Sequence, residues 1–249
     1  MKHCLSLLSV CLGLSLLGAP QLHAEDAEPT SPISLDTSVG VFSDYMFRGQ
    51  NLYAGNSIQP SAKLAYDTGD YGKFAGSVWM QIPGENGNQG LDNYVETDYT
   101  LSYELALKDA TFSLGNVWYR YPHNPGRAIV STNEVYASIA LNTLLTPTLT
   151  VYQDSDAYRA QYYELGISHQ FQCASWGDKS GITPFASLGF ATNAEDIYHN
   201  NGLETATIGA QFNLSLGDIG VVPVINYTFK IDDNTVNAFW AGVTLSYSL

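Results

Sequence analysis

The sequence predicts an all-β protein, a transmembrane antiparallel up-and-down β-barrel of about twelve strands. One observation is a two-residue rhythm, clearest over residues 93–105. There Val95, Thr97, Tyr99, Leu101, Tyr103 and Leu105 alternate with Glu96, Asp98, Thr100, Ser102 and Glu104. Successive strand side chains face opposite ways, so one face is apolar and aromatic and the other acidic. A second observation is composition. Only 14% of residues are charged, while tyrosines number 17. No run after residue 24 approaches the roughly 18 apolar residues that a spanning helix needs. The third is that long and short connections alternate, as they do in outer-membrane barrels. A soluble sandwich accounts for the rhythm alone. The three together put the apolar faces in lipid and the acids in a lumen.

The N-terminus reads as a secretory signal. Lys2 gives a basic start, residues 4–17 an apolar core, and Leu22-His23-Ala24 a cleavage site with a small residue at its end. The expected organisation is a cleaved signal over residues 1–24, a flexible leader over 25–35 and a barrel over 36–249. The export route leads to the cell outer membrane. Cleavage leaves 9 basic against 24 acidic residues, a net charge of about −15. That balance argues against nucleic acid or an anionic surface as partner. Cys173 is then the only cysteine, so no internal disulfide forms.

Turn residues divide the rest into extended segments near 36–47, 56–67, 73–83, 93–106, 110–121, 133–143, 147–156, 161–171, 181–191, 203–214, 219–230 and 236–249. Alternation persists through most. Phe74, Gly76, Val78, Met80 and Ile82 share a face of the third. In the tenth, Ala206, Ile208, Ala210, Phe212 and Leu214 oppose Thr205, Thr207, Gly209, Gln211 and Asn213. The last sets Phe239, Ala241, Val243, Leu245 and Tyr247 against Trp240, Gly242, Thr244 and Ser246. The inward sets are small or hydrogen-bonding, which suits a wet lumen. In the fifth, Phe112, Leu114 and Trp118 share a face with Asn116 and Arg120, and its inside is open. The eleventh is apolar on both faces and equally open.

Ser43-Asp44-Tyr45-Met46-Phe47-Arg48-Gly49 closes the first segment. With Gln59-Pro60-Ser61-Ala62 and Gly242-Val243-Thr244-Leu245-Ser246-Tyr247, it resembles the TorF-like family of small outer-membrane porins. The resemblance implies a single closed barrel with a pore-type role. Only the heptapeptide is a specific motif. On a continuous strand Asp44 and Arg48 share a face. They are expected to point inward at the outer rim, with Tyr45 and Phe47 in an aromatic girdle beside Tyr99, Tyr103 and Tyr247.

Catalytic chemistry is not expected. Ser168 and His169 are adjacent on a strand and face opposite ways, and His123 and His199 read as solvated turn residues. The loop acids Asp92, Asp154, Asp156, Glu195, Asp196, Asp232 and Asp233 lack the ligand spacing of a calcium loop and read as solvated. No metal or cofactor is implied.

The function expected is passive diffusion of small hydrophilic solutes through a narrow acidic lumen. Its expected lining is Asp44, Arg48, Lys63, Asp67, Glu96, Asp98, Glu104, Glu164 and Trp240, with Trp240 or Arg120 able to close it. Outer-membrane lipids and the barrel-assembly machinery are the other expected partners. The competing readings are a non-conducting barrel that binds a ligand or is structural, and a lipid hydrolase.

Overall fold

The computed structural model describes residues 31–84, 95–123, 129–176, 180–198 and 200–249. The signal region, Asp92 and His199 lie outside them. The strands are β1 (Ile33–Phe42), β2 (Tyr45–Phe47), β3 (Gln50–Tyr53), β4 (Ser57–Asp67), β5 (Lys73–Pro83), β6 (Val95–Ala106), β7 (Ala110–His123) and β8 (Thr132–Leu141). They continue as β9 (Thr148–Asp154), β10 (Gln161–Ser168), β11 (Phe171–Gln172), β12 (Gly181–Thr192), β13 (Gly202–Leu216), β14 (Ile219–Lys230) and β15 (Ala238–Ser248). Among the described residues there is no α-helix.

Twelve of these strands form one closed antiparallel ring. β2 and β3 pair only with each other, and β11 is a short addition to β12. Closure falls between the first strand and the last, with registers from Asp36↔Ser248 to Phe42↔Gly242. Two further backbone bonds lock the seam: Leu35 N–H to the Leu249 carbonyl at 3.1 Å and Leu249 N–H to the Leu35 carbonyl at 2.9 Å. No hydrogen-bonding edge is left in the ring, which is the condition for a sheet to sit in lipid.

The expected rhythm sets the faces. On β6, Tyr99 and Leu101 are exposed on the outside, while Glu96, Asp98 and Thr100 are buried on the inside. β13 points Ile208 outward and Thr205, Thr207, Gln211 and Asn213 inward. The outer surface carries two aromatic rows. Tyr66, Phe74, Tyr103 and Tyr247 stand near the end with mostly short turns, and Phe190, Tyr227, Phe229 and Phe239 near the end with long loops. Aromatic rings favour this depth because one end is apolar and the other meets water.

The two open segments resolve alike. β7 turns Val117 and Tyr119 inward and Phe112, Leu114, Asn116, Trp118 and Arg120 outward. β14 turns Val224, Asn226 and Thr228 inward and Ile225, Tyr227 and Phe229 outward. The first segment departs most from expectation. β1 begins at Ile33, inside the expected leader, and ends at Phe42 rather than running to residue 47. The chain then leaves the wall and makes the separate β2–β3 hairpin.

Leu101→Arg, on the lipid-facing band, is expected to cost about 2–4 kcal/mol, and Leu216→Arg at the short-turn rim about 0–1 kcal/mol. Urea unfolding of the folded barrel in lipid vesicles measures the difference. Equal costs would contradict the assigned outer face.

Candidate functional site

The β2–β3 hairpin occupies the lumen. Its turn is Arg48-Gly49, with φ of 47° and 82°. Two positive φ values are the signature of a type I′ turn, whose twist matches that of the flanking strands. Glycine suits the second position for two reasons. It tolerates the positive φ, and a Cβ there would lie 2.7 Å from Thr205 Oγ1 on the opposite wall.

The hairpin leaves the wall at β1 and reaches across to β7–β10 and β13. Tyr45 is fully buried against Trp79 of β5, with ring centroids 5.7 Å apart. Phe47 meets Tyr119 of β7 edge-on at 6.2 Å. At the tip, Arg48 Nη1 and Nη2 donate to Glu134 Oε1 and Oε2 of β8 at 2.8 and 2.7 Å. Tyr119 OH donates to the same Oε2 at 2.8 Å. The guanidinium carbon sits 4.7, 4.5 and 4.3 Å from the ring centroids of Phe47, Tyr152 and Tyr162. The backbone of the turn is held too. Tyr198 OH donates to the Arg48 carbonyl at 3.3 Å, Gln50 Nε2 to the Ile197 carbonyl at 3.2 Å and Val236 N–H to the Gly49 carbonyl at 3.0 Å. Burial pushes the Tyr198 phenol above its usual range, so it stays a neutral donor.

Beside the hairpin lies an acidic patch. Gln81 pairs in register with Glu96, and Asp98 follows two residues on along the same inner face. All three are essentially inaccessible. Tyr121 OH donates to Glu96 Oε1 at 3.3 Å. Among the described residues, both Gln81 amide atoms, both Asp98 oxygens and Glu96 Oε2 have no hydrogen-bond partner. Toward the short-turn end, Lys63, Lys73 and Glu104 line a small cavity with Ser102, Ser113 and Tyr136. Lys73 Nζ lies 3.9 Å from Asp67. Glu164 is on the inner face of β10, next but one to Tyr162.

Several expected placements need correction. Asp44 and Arg48 do not share a strand face, because the strand ends at Phe42. Asp44 instead accepts from Ser43 Oγ at 2.8 Å and Asn51 Nδ2 at 2.9 Å, holding the base of the hairpin. Tyr45 and Phe47 are not in the girdle. They point into the lumen, whereas Tyr99, Tyr103 and Tyr247 face outward. Trp240 helps fill the lumen only together with the hairpin: it packs on the inner face with Phe42, Met46, Phe185 and Val224, and its Nε1 donates to Thr228 Oγ1 at 3.2 Å. Arg120 faces outward and donates to the Tyr119 and Thr132 carbonyls, each at 2.9 Å. Of the loop acids, Asp154 and Asp232 are buried rather than solvated. Asp154 Oδ1 accepts from the N–H groups of Asp156, Tyr158 and Arg159, and so shapes its turn.

Sequence reasoning missed Glu134, the partner of Arg48. Its signal was present: Thr132, Glu134, Tyr136 and Ser138 alternate with Asn133, Val135 and Ala137. It also missed Lys73, which faces inward opposite Glu104.

Residues 26–190 match the sequence model of a family described as a bacterial protein of unknown function (Gcw_chp). No curated protein sequence matches the chain. Among solved structures the barrel is similar to LpxR from Salmonella typhimurium, at 9% identity and a TM-score of 0.55, over 86% of this chain and 99% of that one. It is also similar to the KdgM porin in complex with disordered oligogalacturonate, at 10% identity and a TM-score of 0.52, over 87% of this chain and 99% of that one. At such identities the likeness establishes a shared outer-membrane barrel fold.

Glu134→Ala leaves a buried guanidinium without its carboxylate, and the seating of the hairpin is expected to weaken by about 3–5 kcal/mol. Amide hydrogen exchange reads this as faster exchange across residues 45–53, with β1 and β15 still protected. Unchanged hairpin exchange would contradict the anchoring role of the pair.

Proposed function

The chain belongs to the Gcw_chp family, and we propose that its barrel is an outer-membrane pore for small hydrophilic cations and neutral solutes, closed by the inward hairpin. The observation that carries this reading is the hairpin itself. One excursion from the wall fills an otherwise acid-lined lumen and carries at its tip the Arg48–Glu134 pair that joins it to the far wall.

Charge supports the solute class. Among the described residues the inner face of the wall strands includes Asp36, Asp67, Glu96, Asp98, Glu104, Glu134 and Glu164 against Lys63 and Lys73, and Arg48 is already matched by Glu134. Low-dielectric walls focus the field of such a lining, which gathers cations and repels anions. Oligogalacturonate is a polyanion, so the likeness to KdgM does not extend to that solute here. The TorF-like heptapeptide supports the pore class and supplies the hairpin itself. A twelve-stranded barrel lies between those filled by side chains and those with a broad water channel, so a small conductance is expected.

At Arg48 itself the opposing energies are of similar size. Each ring contributes about 0.5–2 kcal/mol to holding the guanidinium, and hydrogen bonds to charged groups about 1.5–3 kcal/mol. Taking both charges out of water costs several kcal/mol per ion. The ion pair therefore contributes modestly, and the rest of the hairpin's seating comes from buried Tyr45, Met46 and Tyr53.

A second reading, a non-conducting barrel that binds a ligand, draws support from the aromatic packing around the hairpin. The two separate in a planar bilayer. Arg48→Ala is expected to lengthen open times and to give a reversal potential favouring potassium over chloride in a salt gradient. Adding Glu96→Gln and Asp98→Asn is expected to shrink that preference. Silence of Arg48→Ala at all voltages would reject the pore.

A further inference from the structure

We infer that the pocket around Arg48 is a binding site for guanidinium-bearing solutes, and that Arg48 is its built-in occupant. This deepens the pore reading and rests on it for any part in transport. The binding itself is testable apart from conduction.

The pocket has the parts that recognise this group and no simpler cation. Glu134 offers both oxygens to the two Nη atoms at 2.7–2.8 Å, a fork that a planar guanidinium matches and an ammonium does not. Tyr152 and Tyr162 present ring centroids at 4.5 and 4.3 Å, one from each of two neighbouring wall strands. Tyr119 OH, at 2.8 Å from Glu134 Oε2, fixes the carboxylate in the geometry the fork requires. These four groups belong to the barrel wall and stay in place when the hairpin withdraws. Of the cage, only Phe47 leaves with Arg48.

Withdrawal would leave Glu134 facing the lumen without its cation, with the carboxylate of Glu164 also on the inner face. Among the described residues, the other lumenal cations, Lys63 and Lys73, are on β4 and β5 toward the short-turn end. Low-dielectric walls strengthen the field of such carboxylates and draw a cation to them. An entering guanidinium is such a cation and competes with Arg48 for the seat. Solute and gate then exclude each other: occupancy of the pocket by solute keeps the hairpin out. In the native chain the tethered Arg48 acts at high effective concentration, so free solute binds weakly until the hairpin moves.

The test uses the refolded full barrel in detergent and methylguanidinium as probe, with urea as its neutral planar counterpart and sodium as a plain cation. Thermal unfolding of Arg48→Ala is expected to shift upward by several degrees with methylguanidinium, saturably, while the native chain shifts little. Neither urea nor sodium is expected to reproduce the shift. Glu134→Gln in the Arg48→Ala background is expected to weaken the apparent affinity roughly tenfold or more, through loss of the charge-assisted fork. Arg48→Asn, which tolerates the positive φ of 47°, repeats the measurement should the alanine variant fail to fold. An equal response in native and Arg48-less barrels, or one that Glu134→Gln leaves untouched, would overturn the proposal. Conductance in Arg48→Ala without the methylguanidinium shift would overturn it too, leaving the pore intact. The shift without conductance would uphold the pocket and reject the pore.

Discussion

Backbone hydrogen bonding in a medium without water is the constraint from which the structure follows. Every N–H and C=O at membrane depth needs a protein partner. The wall strands meet it by closing, β1 against β15, and the seam continues to Leu35 and Leu249. Once the wall is closed, each strand has one side in lipid and the other in a confined interior. That confined side is where the chain can spend residues on function.

The interior has two regimes, and the hairpin separates them. Around the hairpin the lumen is dry. Val117, Tyr136, Phe185, Val224 and Trp240 are buried there together with Phe42, Tyr45 and Met46. Toward the short-turn end, inward positions are Ser61, Lys63, Ser77, Ser102 and Glu104, which suit water. The acidic patch of Gln81, Glu96 and Asp98 lies beside the hairpin, toward the long-loop ends of β5 and β6. Polar atoms without protein partners at such depth are costly unless water or a solute completes them.

This division explains how much was legible in the sequence. Strand faces could be read wherever the inside is wet and the outside greasy, as on β6 and β13. β14 resisted because the hairpin packs on its inner face, so Val224 is as apolar as its lipid-facing neighbours, and β7 because polar Asn116 and Arg120 stand on its outer face. The heptapeptide misled for a related reason. Its alternation of Tyr45 and Phe47 is real, but belongs to a hairpin inside the barrel. The marker of the turn was Arg48-Gly49, less telling than an Asn-Gly pair and easily absorbed into a continuing strand. The partner of Arg48 lies 86 residues further on, and no local pattern joins the two.

The central claim is that residues 43–53 are what closes the lumen. It is tested most directly by single-channel recording of a barrel in which residues 44–52 are replaced by a short Gly-Ser link, beside the intact chain. Steady, cation-preferring current from the shortened barrel and a mostly closed intact barrel are the predicted results. Equal conductance in both would mean that the hairpin does not gate the path.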